Sequence, residues 1–120
     1  MGRNSDGSDL NILLVEDHPI FRLGTRQLLQ KHWPDANIGE ANSLKKALAA
    51  VRNGDWSVAI VDLNLPDSGG VEVVSQLLRA VADLRVLVLS LNAESAYAMR
   101  VLQLGAVGYL SKDRALEDLT

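Results

Sequence analysis

The chain has 120 residues, a formal net charge of −3 and no cysteine. Its length fits a single domain, and with 48% apolar residues it can bury a sizeable core. The lack of cysteine excludes disulfides and Cys-based zinc sites. The acidic balance without a lysine/arginine cluster argues against direct nucleic-acid binding, and no apolar stretch approaches the roughly 20 residues of a membrane helix.

Apolar runs of strand length alternate with segments of helical spacing along the chain. Leu10 to Val15 is apolar except for Asn11, as expected for a strand buried on both faces. Pro19 suits the first turn of a helix, Asn42 or Ser43 can cap the next one, and Gly105 is positioned to end a later one. The predicted strands are 10–15, 38–41, 58–61, 85–89 and 107–110, and the predicted helices are 19–33, 44–53, 71–78, 93–104 and 113 onward.

This alternation predicts an α/β domain: a doubly wound sheet of five parallel strands, with helices on both faces and right-handed crossovers. Residues 1–9 are polar and rich in glycine and serine, so we expect a disordered N-terminal lead-in. The folded domain should span 10–120. The last helix is short, and we expect the chain to be cut within it.

Polar residues follow several of the apolar runs directly. Glu16 and Asp17 follow the first, Asp62 the third, Ser90 the fourth, and Lys112 comes soon after the fifth. In an open parallel sheet these strand ends lie at the carboxyl edge, where ligands bind. Taken singly, each residue has an ordinary interpretation as a solvated turn, a cap or a surface charge. Together they favour a site for a divalent cation and a phosphoryl group.

The three acids would make an oxygen-rich pocket for Mg²⁺, which takes about six oxygen ligands. Asn64, two residues after Asp62, could add its backbone carbonyl. A carboxylate beside Mg²⁺ can act as a nucleophile toward phosphorus and give an acyl phosphate. Lys112 and Ser90 could then stabilise charge on the transferred group.

Several motifs together resemble the receiver domain of two-component response regulators. They are Leu-Leu-Val-Glu-Asp-His-Pro at 13–19, Val-Asp-Leu-Asn-Leu-Pro at 61–66 with Gly70 beyond, Ser90, and Gly-Ala-Val-Gly-Tyr-Leu-Ser-Lys at 105–112. The resemblance covers nearly the whole chain from residue 10. Asp-His-Pro after the first strand and Gly-Tyr-Leu-x-Lys at the last look most like the NarL/FixJ (LuxR-type) subfamily.

The resemblance implies a flavodoxin-like (βα)₅ fold and a role for each matching residue. By position, Asp62 would be the phospho-acceptor. Asp17 would bind Mg²⁺, Glu16 would bind it directly or through water, and Asn64 would supply a backbone carbonyl. Ser90 would be the switch hydroxyl, Lys112 would contact the phosphoryl group, and Tyr109 would be the switch aromatic.

The implied function is a phosphorylation-controlled signalling switch in the cytoplasm, and not a true enzyme. A sensor histidine kinase or a small phosphodonor would supply the phosphoryl group with Mg²⁺. The domain would dimerise on activation and would not itself contact nucleic acid or membrane. Members of this subfamily usually carry a C-terminal LuxR-type helix-turn-helix output domain, and we expect no such domain within these 120 residues.

Two other functions are compatible with parts of the pattern. A Mg²⁺-dependent phosphohydrolase of the haloacid-dehalogenase type also uses a nucleophilic aspartate, but after its first strand and with a second Asp where Asn64 stands. A pseudo-receiver would bind partners without taking phosphate, and Leu91, bulkier than the family's usual small residue, is compatible with it. Ser68-Gly69-Gly70 also departs from the family's usual loop, so we expect that loop to be more mobile.

Overall fold

A computed structural model describes residues 10–68, 70–90 and 95–111, without the side chains of 95–97 and 111. The predictions for residues 1–9 and for 112–120, including Lys112 and the last helix, lie outside the described residues, as does Leu91. The elements are β1 (Asn11–Val15), α1 (Pro19–His32), β2 (Asn37–Ala41), α2 (Leu44–Asn53), β3 (Val58–Asp62), α3 (Glu72–Ala80), β4 (Arg85–Ser90), α4 (Ser95–Gln103) and β5 (Gly108–Ser111).

The five strands form one parallel sheet in the order β2-β1-β3-β4-β5. The register pairs Val15 with Val61 and Asp62 with Leu89, and the β4–β5 pairing ends at Ser90. The carboxyl ends of β1, β3 and β4 are therefore adjacent in space. The predicted doubly wound parallel fold is confirmed.

Successive side chains of each strand point to opposite faces of the sheet, so the core has two parts, one on each face. One face packs against α2, α3 and Val101 of α4, and it holds the larger apolar cluster. The other face packs against α1, where Leu29 meets a smaller cluster. That smaller cluster contains Ile12, Leu14, Leu29, Ile60 and Leu89.

Local signals in the sequence explain several helix boundaries. Pro19 is the first residue of α1, and the Ser43 side chain accepts a hydrogen bond from the Lys46 N–H at 3.1 Å, which caps α2. Gly105 has a φ of 113°, and the Ala106 N–H reaches back to the Val101 carbonyl at 2.9 Å. This is the left-handed helix ending that glycine favours, as predicted. Across the described ranges, no helix has the length and apolar character needed to cross a bilayer.

Candidate functional site

Two carboxylates are buried side by side at the carboxyl edge of the sheet. Glu16 follows β1 and is 2% exposed, and Asp62 ends β3 and is 1% exposed. Because Val15 pairs with Val61, the next residue on each strand occupies the neighbouring position. Two buried carboxylates at adjacent positions repel each other unless cations or hydrogen bonds compensate. The predicted convergence of Glu16 and Asp62 is therefore present.

The imidazole of His18 lies against both acids. Its Nδ1 is 2.7 Å from Oε1 of Glu16 and 3.5 Å from Oδ2 of Asp62. The same Glu16 oxygen also accepts the His18 backbone N–H at 3.2 Å. Among the described residues, these three side chains form a group whose potential metal-ligand atoms lie within 4.8 Å of one another.

The chain turns back over Asp62 immediately after β3. The backbone N–H of Asn64 donates to Oδ1 of Asp62 at 3.1 Å. This bond fixes the first residues of the β3–α3 loop, residues 63–71, relative to the carboxylate. The two oxygens of Asp62 therefore differ, because Oδ1 accepts a backbone N–H and Oδ2 faces the His18 ring.

The backbone of Glu16 is held from both sides. Its N–H donates to the Ala41 carbonyl at 3.0 Å, and its carbonyl accepts from Nη1 of Arg22 at 3.0 Å. Arg22 in turn pairs through Nε with Glu40 at 2.7 Å, and Arg26 pairs with the same carboxylate at 2.5 Å. An ion-paired network from α1 and β2 thus anchors the turn that carries the first acids.

Of the remaining predicted site residues, the structure describes Ser90, Tyr109 and Asp17. Ser90 is 1% exposed at the end of β4, one residue beyond the partner of Asp62. Tyr109 lies on β5 opposite Val88 and packs, half-buried, against the larger core cluster. Asp17 is exposed and stands in the same turn as Glu16, but it is outside the three-residue ligand group found in the described ranges. Lys112 lies outside the described residues.

Three residues near this edge received no role from the sequence. His18 was noted only as part of a motif, although its position directly after two strand-end acids was a usable signal. Arg22 and Asp67 carried no comparable signal. The carboxylate of Asp67 accepts the first two N–H groups of α2 from Leu44 and Lys45, a contact between distant segments that no local pattern predicts.

Comparison with known proteins agrees with this geometry. The family model described as "Response regulator receiver domain" matches residues 12–120. The response regulator UvrY of Escherichia coli K12 is 33% identical over 110 residues, which cover 92% of this chain and 50% of that protein. The chain thus spans about half the length of the curated relatives it matches.

Solved structures give the same result. A LuxR-family two-component response regulator from Aurantimonas sp. SI85-9A1 superposes with a TM-score of 0.83 at 31% identity, covering 91% of this chain and 78% of that one. The receiver domain of NarL from Mycobacterium tuberculosis gives 0.79 at 30% identity, covering 92% and 89%. The chain therefore belongs to the response regulator receiver family, whose members are phosphorylation-controlled switches of two-component signalling, and its relatives are those of the NarL/LuxR type.

Proposed function

We propose that this domain accepts a phosphoryl group on Asp62. The observation that carries the proposal is the Asp62 carboxylate itself, which is buried at the carboxyl edge of the sheet with Glu16 and Ser90 at the neighbouring strand ends. In the transfer, an Asp62 oxygen forms a bond to phosphorus while the bond from phosphorus to the donor's leaving group breaks. The product is an acyl phosphate, and its charge is the signal.

The donor set at this edge fits Mg²⁺. Glu16 and Asp62 are buried carboxylates whose repulsion a divalent cation relieves, and oxygen ligands are what this ion prefers. We propose Glu16, Asp17, Asp62 and the Asn64 backbone carbonyl as the residues that hold it. Bound there, the ion would screen charge between the acids and the incoming phosphoryl group.

Three further residues would respond to the phosphoryl group. Ser90 would donate its hydroxyl to a phosphoryl oxygen, and Lys112 would contact the group as a point charge. Tyr109 would change its packing when Ser90 moves. New contacts made only by the phosphorylated state bias a two-state equilibrium in this way.

The relatives support a proposal for the biological role. The phosphoryl group would come from a sensor histidine kinase or a small phosphodonor, and activation would lead to a homodimer. The switch would regulate a DNA-binding output domain outside this chain, in the cytoplasm. At most, the domain would catalyse its own phosphorylation and dephosphorylation.

The test is incubation with acetyl phosphate and Mg²⁺ followed by mass measurement of the intact protein. We expect an increase of one phosphoryl group, and we expect Asp62→Asn to abolish it while the domain stays folded. Asp83→Asn is the matched control, because it removes one negative charge just before β4, at the opposite edge of the sheet. A full-yield adduct on Asp62→Asn would place the nucleophile elsewhere.

The same experiment separates the alternatives. Continued turnover of many phosphate esters without an adduct would indicate a phosphohydrolase. Neither adduct nor turnover would indicate a pseudo-receiver. The match to receiver domains along residues 12–120 favours the switch over the phosphohydrolase, and the presence of Asp62, Ser90 and Lys112 favours it over the pseudo-receiver.

A further inference from the structure

The acid pocket contains a nitrogen ligand that a magnesium site does not need. The ring of His18 is half exposed, at 52%, yet its Nδ1 lies within 3.5 Å of oxygens on both buried acids. Any cation bound between Glu16 and Asp62 would therefore have an imidazole nitrogen beside it.

The local backbone directs this ring to the acids and not to the helix. His18 is the N-cap residue of α1, with extended φ and ψ of −83° and 111°, but its side chain makes no capping hydrogen bond. Pro19 follows at the first helical position, which it suits, and the N–H groups that a cap would satisfy belong to the next two residues, for which an imidazole offers no capping oxygen. Short polar residues such as serine usually occupy this position and accept a helix N–H. The His18 ring instead contacts the two carboxylates.

A nitrogen ligand changes which metals the pocket prefers. Mg²⁺ binds oxygen and keeps several waters, whereas imidazole suits zinc, nickel, cobalt and copper. Around a tetrahedral zinc, ligands at about 2.0–2.2 Å from the metal lie roughly 3.3–3.6 Å from one another. The 3.5 Å between Nδ1 of His18 and Oδ2 of Asp62 matches this spacing. The 2.7 Å to Glu16 would lengthen on binding, through a small rotation of the half-exposed ring.

We propose that Glu16, His18 and Asp62 form a site for a borderline transition metal, with Zn²⁺ as its representative, and that occupation of this site blocks phosphorylation. Metal coordination would occupy Oδ2 of Asp62, the oxygen that faces His18, and would hold the half-exposed imidazole against the carboxylate that has to accept the phosphoryl group. The inhibitory part of the inference rests on Asp62 being the phospho-acceptor, but the metal site does not.

The binding test uses the full 120-residue chain and measures Zn²⁺ affinity by competition with a chromophoric chelator. Co²⁺ serves as the spectroscopic probe, because nitrogen coordination changes its visible absorption. His18→Gln removes the imidazole, and His32→Gln is the matched control at the far end of α1. These are the two histidines of the chain.

We expect His18→Gln to weaken Zn²⁺ binding by about tenfold or more and to change the Co²⁺ spectrum, while Mg²⁺ affinity changes less than about threefold. His32→Gln should match the parent protein in all three measurements. An unchanged Zn²⁺ affinity in His18→Gln would overturn the site. Equal losses of Zn²⁺ and Mg²⁺ affinity would also overturn it, because His18 would then only shape the acid pocket.

The inhibitory part has its own readout. With acetyl phosphate and Mg²⁺ present, added Zn²⁺ should suppress the phosphoryl adduct in the parent and in His32→Gln at concentrations about tenfold lower than in His18→Gln. Equal suppression in all three proteins would overturn inhibition through His18. If no protein forms an adduct while His18→Gln still loses Zn²⁺ affinity, the proposed function fails and the metal site stands.

Discussion

Asp67 accepts a hydrogen bond from the backbone N–H of Leu44 at 2.7 Å, across 23 residues of chain. Its second oxygen accepts the Lys45 N–H at 3.0 Å. The first N–H groups of a helix have no partner within the helix, and here a carboxylate from another segment supplies it. The β3–α3 loop, which follows Asp62 directly and carries Asn64, is therefore attached to the start of α2.

This contact predicts a graded loss of stability on substitution. Asp67→Ala removes both acceptors and should cost about 1 kcal/mol of unfolding free energy, near the middle of the range for helix caps. Asp67→Asn retains one oxygen acceptor and should cost less. Chemical denaturation gives the free energies, and amide hydrogen exchange at Leu44 and Lys45 gives the local effect. If both variants leave exchange at these amides unchanged, the contact does not exist in solution.

The same contact predicts a contribution to acid stability. The hydrogen bonds from Leu44 and then Lys45 lower the pKa of Asp67 from its usual 3.8. A carboxyl group whose pKa is lower in the folded state than in the unfolded state contributes its full stabilisation when the pH is above its unfolded-state pKa. That contribution is lost as the pH falls through its folded-state pKa. The stability difference between the parent and Asp67→Asn should therefore be constant near neutrality and shrink below about pH 4. A difference that grows on acidification would contradict this assignment.

Magnesium affinity tests the role proposed for Asp17. Asp17→Asn should weaken Mg²⁺ binding because it removes one carboxylate from a site held mainly by charge. Asp83→Asn removes an equal charge at the opposite edge of the sheet and should leave the affinity within about twofold, since exposed charges at that distance are screened. Calorimetric titration with Mg²⁺ measures both. Equal affinities in the parent and in Asp17→Asn would remove Asp17 from the ligand set.

The sequence predicted the fold well because its signals were local. Each apolar run indicates a strand or a helix face, and Pro19 and Gly105 mark a helix start and a helix end. The carboxyl ends of parallel strands meet at one edge of the sheet, regardless of the loop conformations. Glu16 and Asp62 could be placed together on that argument alone. The contacts of His18 and Asp67 could not, because they depend on how one segment's side chain meets another segment's backbone or acid. Asp17 was predicted by adjacency to Glu16, and the structure places its side chain in a more exposed position than that of Glu16.

Two glycines should respond oppositely to the same substitution. Gly24 lies inside α1, and a Cβ there would meet nothing within 4 Å. Gly24→Ala should therefore stabilise the domain by about 0.5–1 kcal/mol, because alanine lowers the conformational entropy of the unfolded chain. Gly39 lies on β2 against the Trp56 ring, which donates its Nε1–H to the Ala50 carbonyl at 2.8 Å. A Cβ at Gly39 would overlap that ring.

Gly39→Ala should therefore cost about 1–3 kcal/mol, the usual range for overpacking. Trp56 would have to move and give up its hydrogen bond to Ala50. Urea unfolding followed by circular dichroism measures both glycine variants, and tryptophan fluorescence should shift only in Gly39→Ala. Similar effects of the two substitutions would show that Trp56 does not restrict this position.

Ser90 and Tyr109 should report the switch. Ser90 is buried at the end of β4, and Tyr109 lies on the paired strand, two residues before the partner of Ser90. A beryllofluoride adduct, which mimics the phosphoryl group, should change amide signals near Asp62 and also near Tyr109. In Ser90→Ala, the hydroxyl that would contact the mimic is absent, so changes near Asp62 should persist and those near Tyr109 should largely disappear. Ser75→Ala, which removes a hydroxyl bonded to the Glu72 carbonyl on α3, should behave like the parent. Undiminished changes near Tyr109 in Ser90→Ala would mean that the switch does not operate through this hydroxyl.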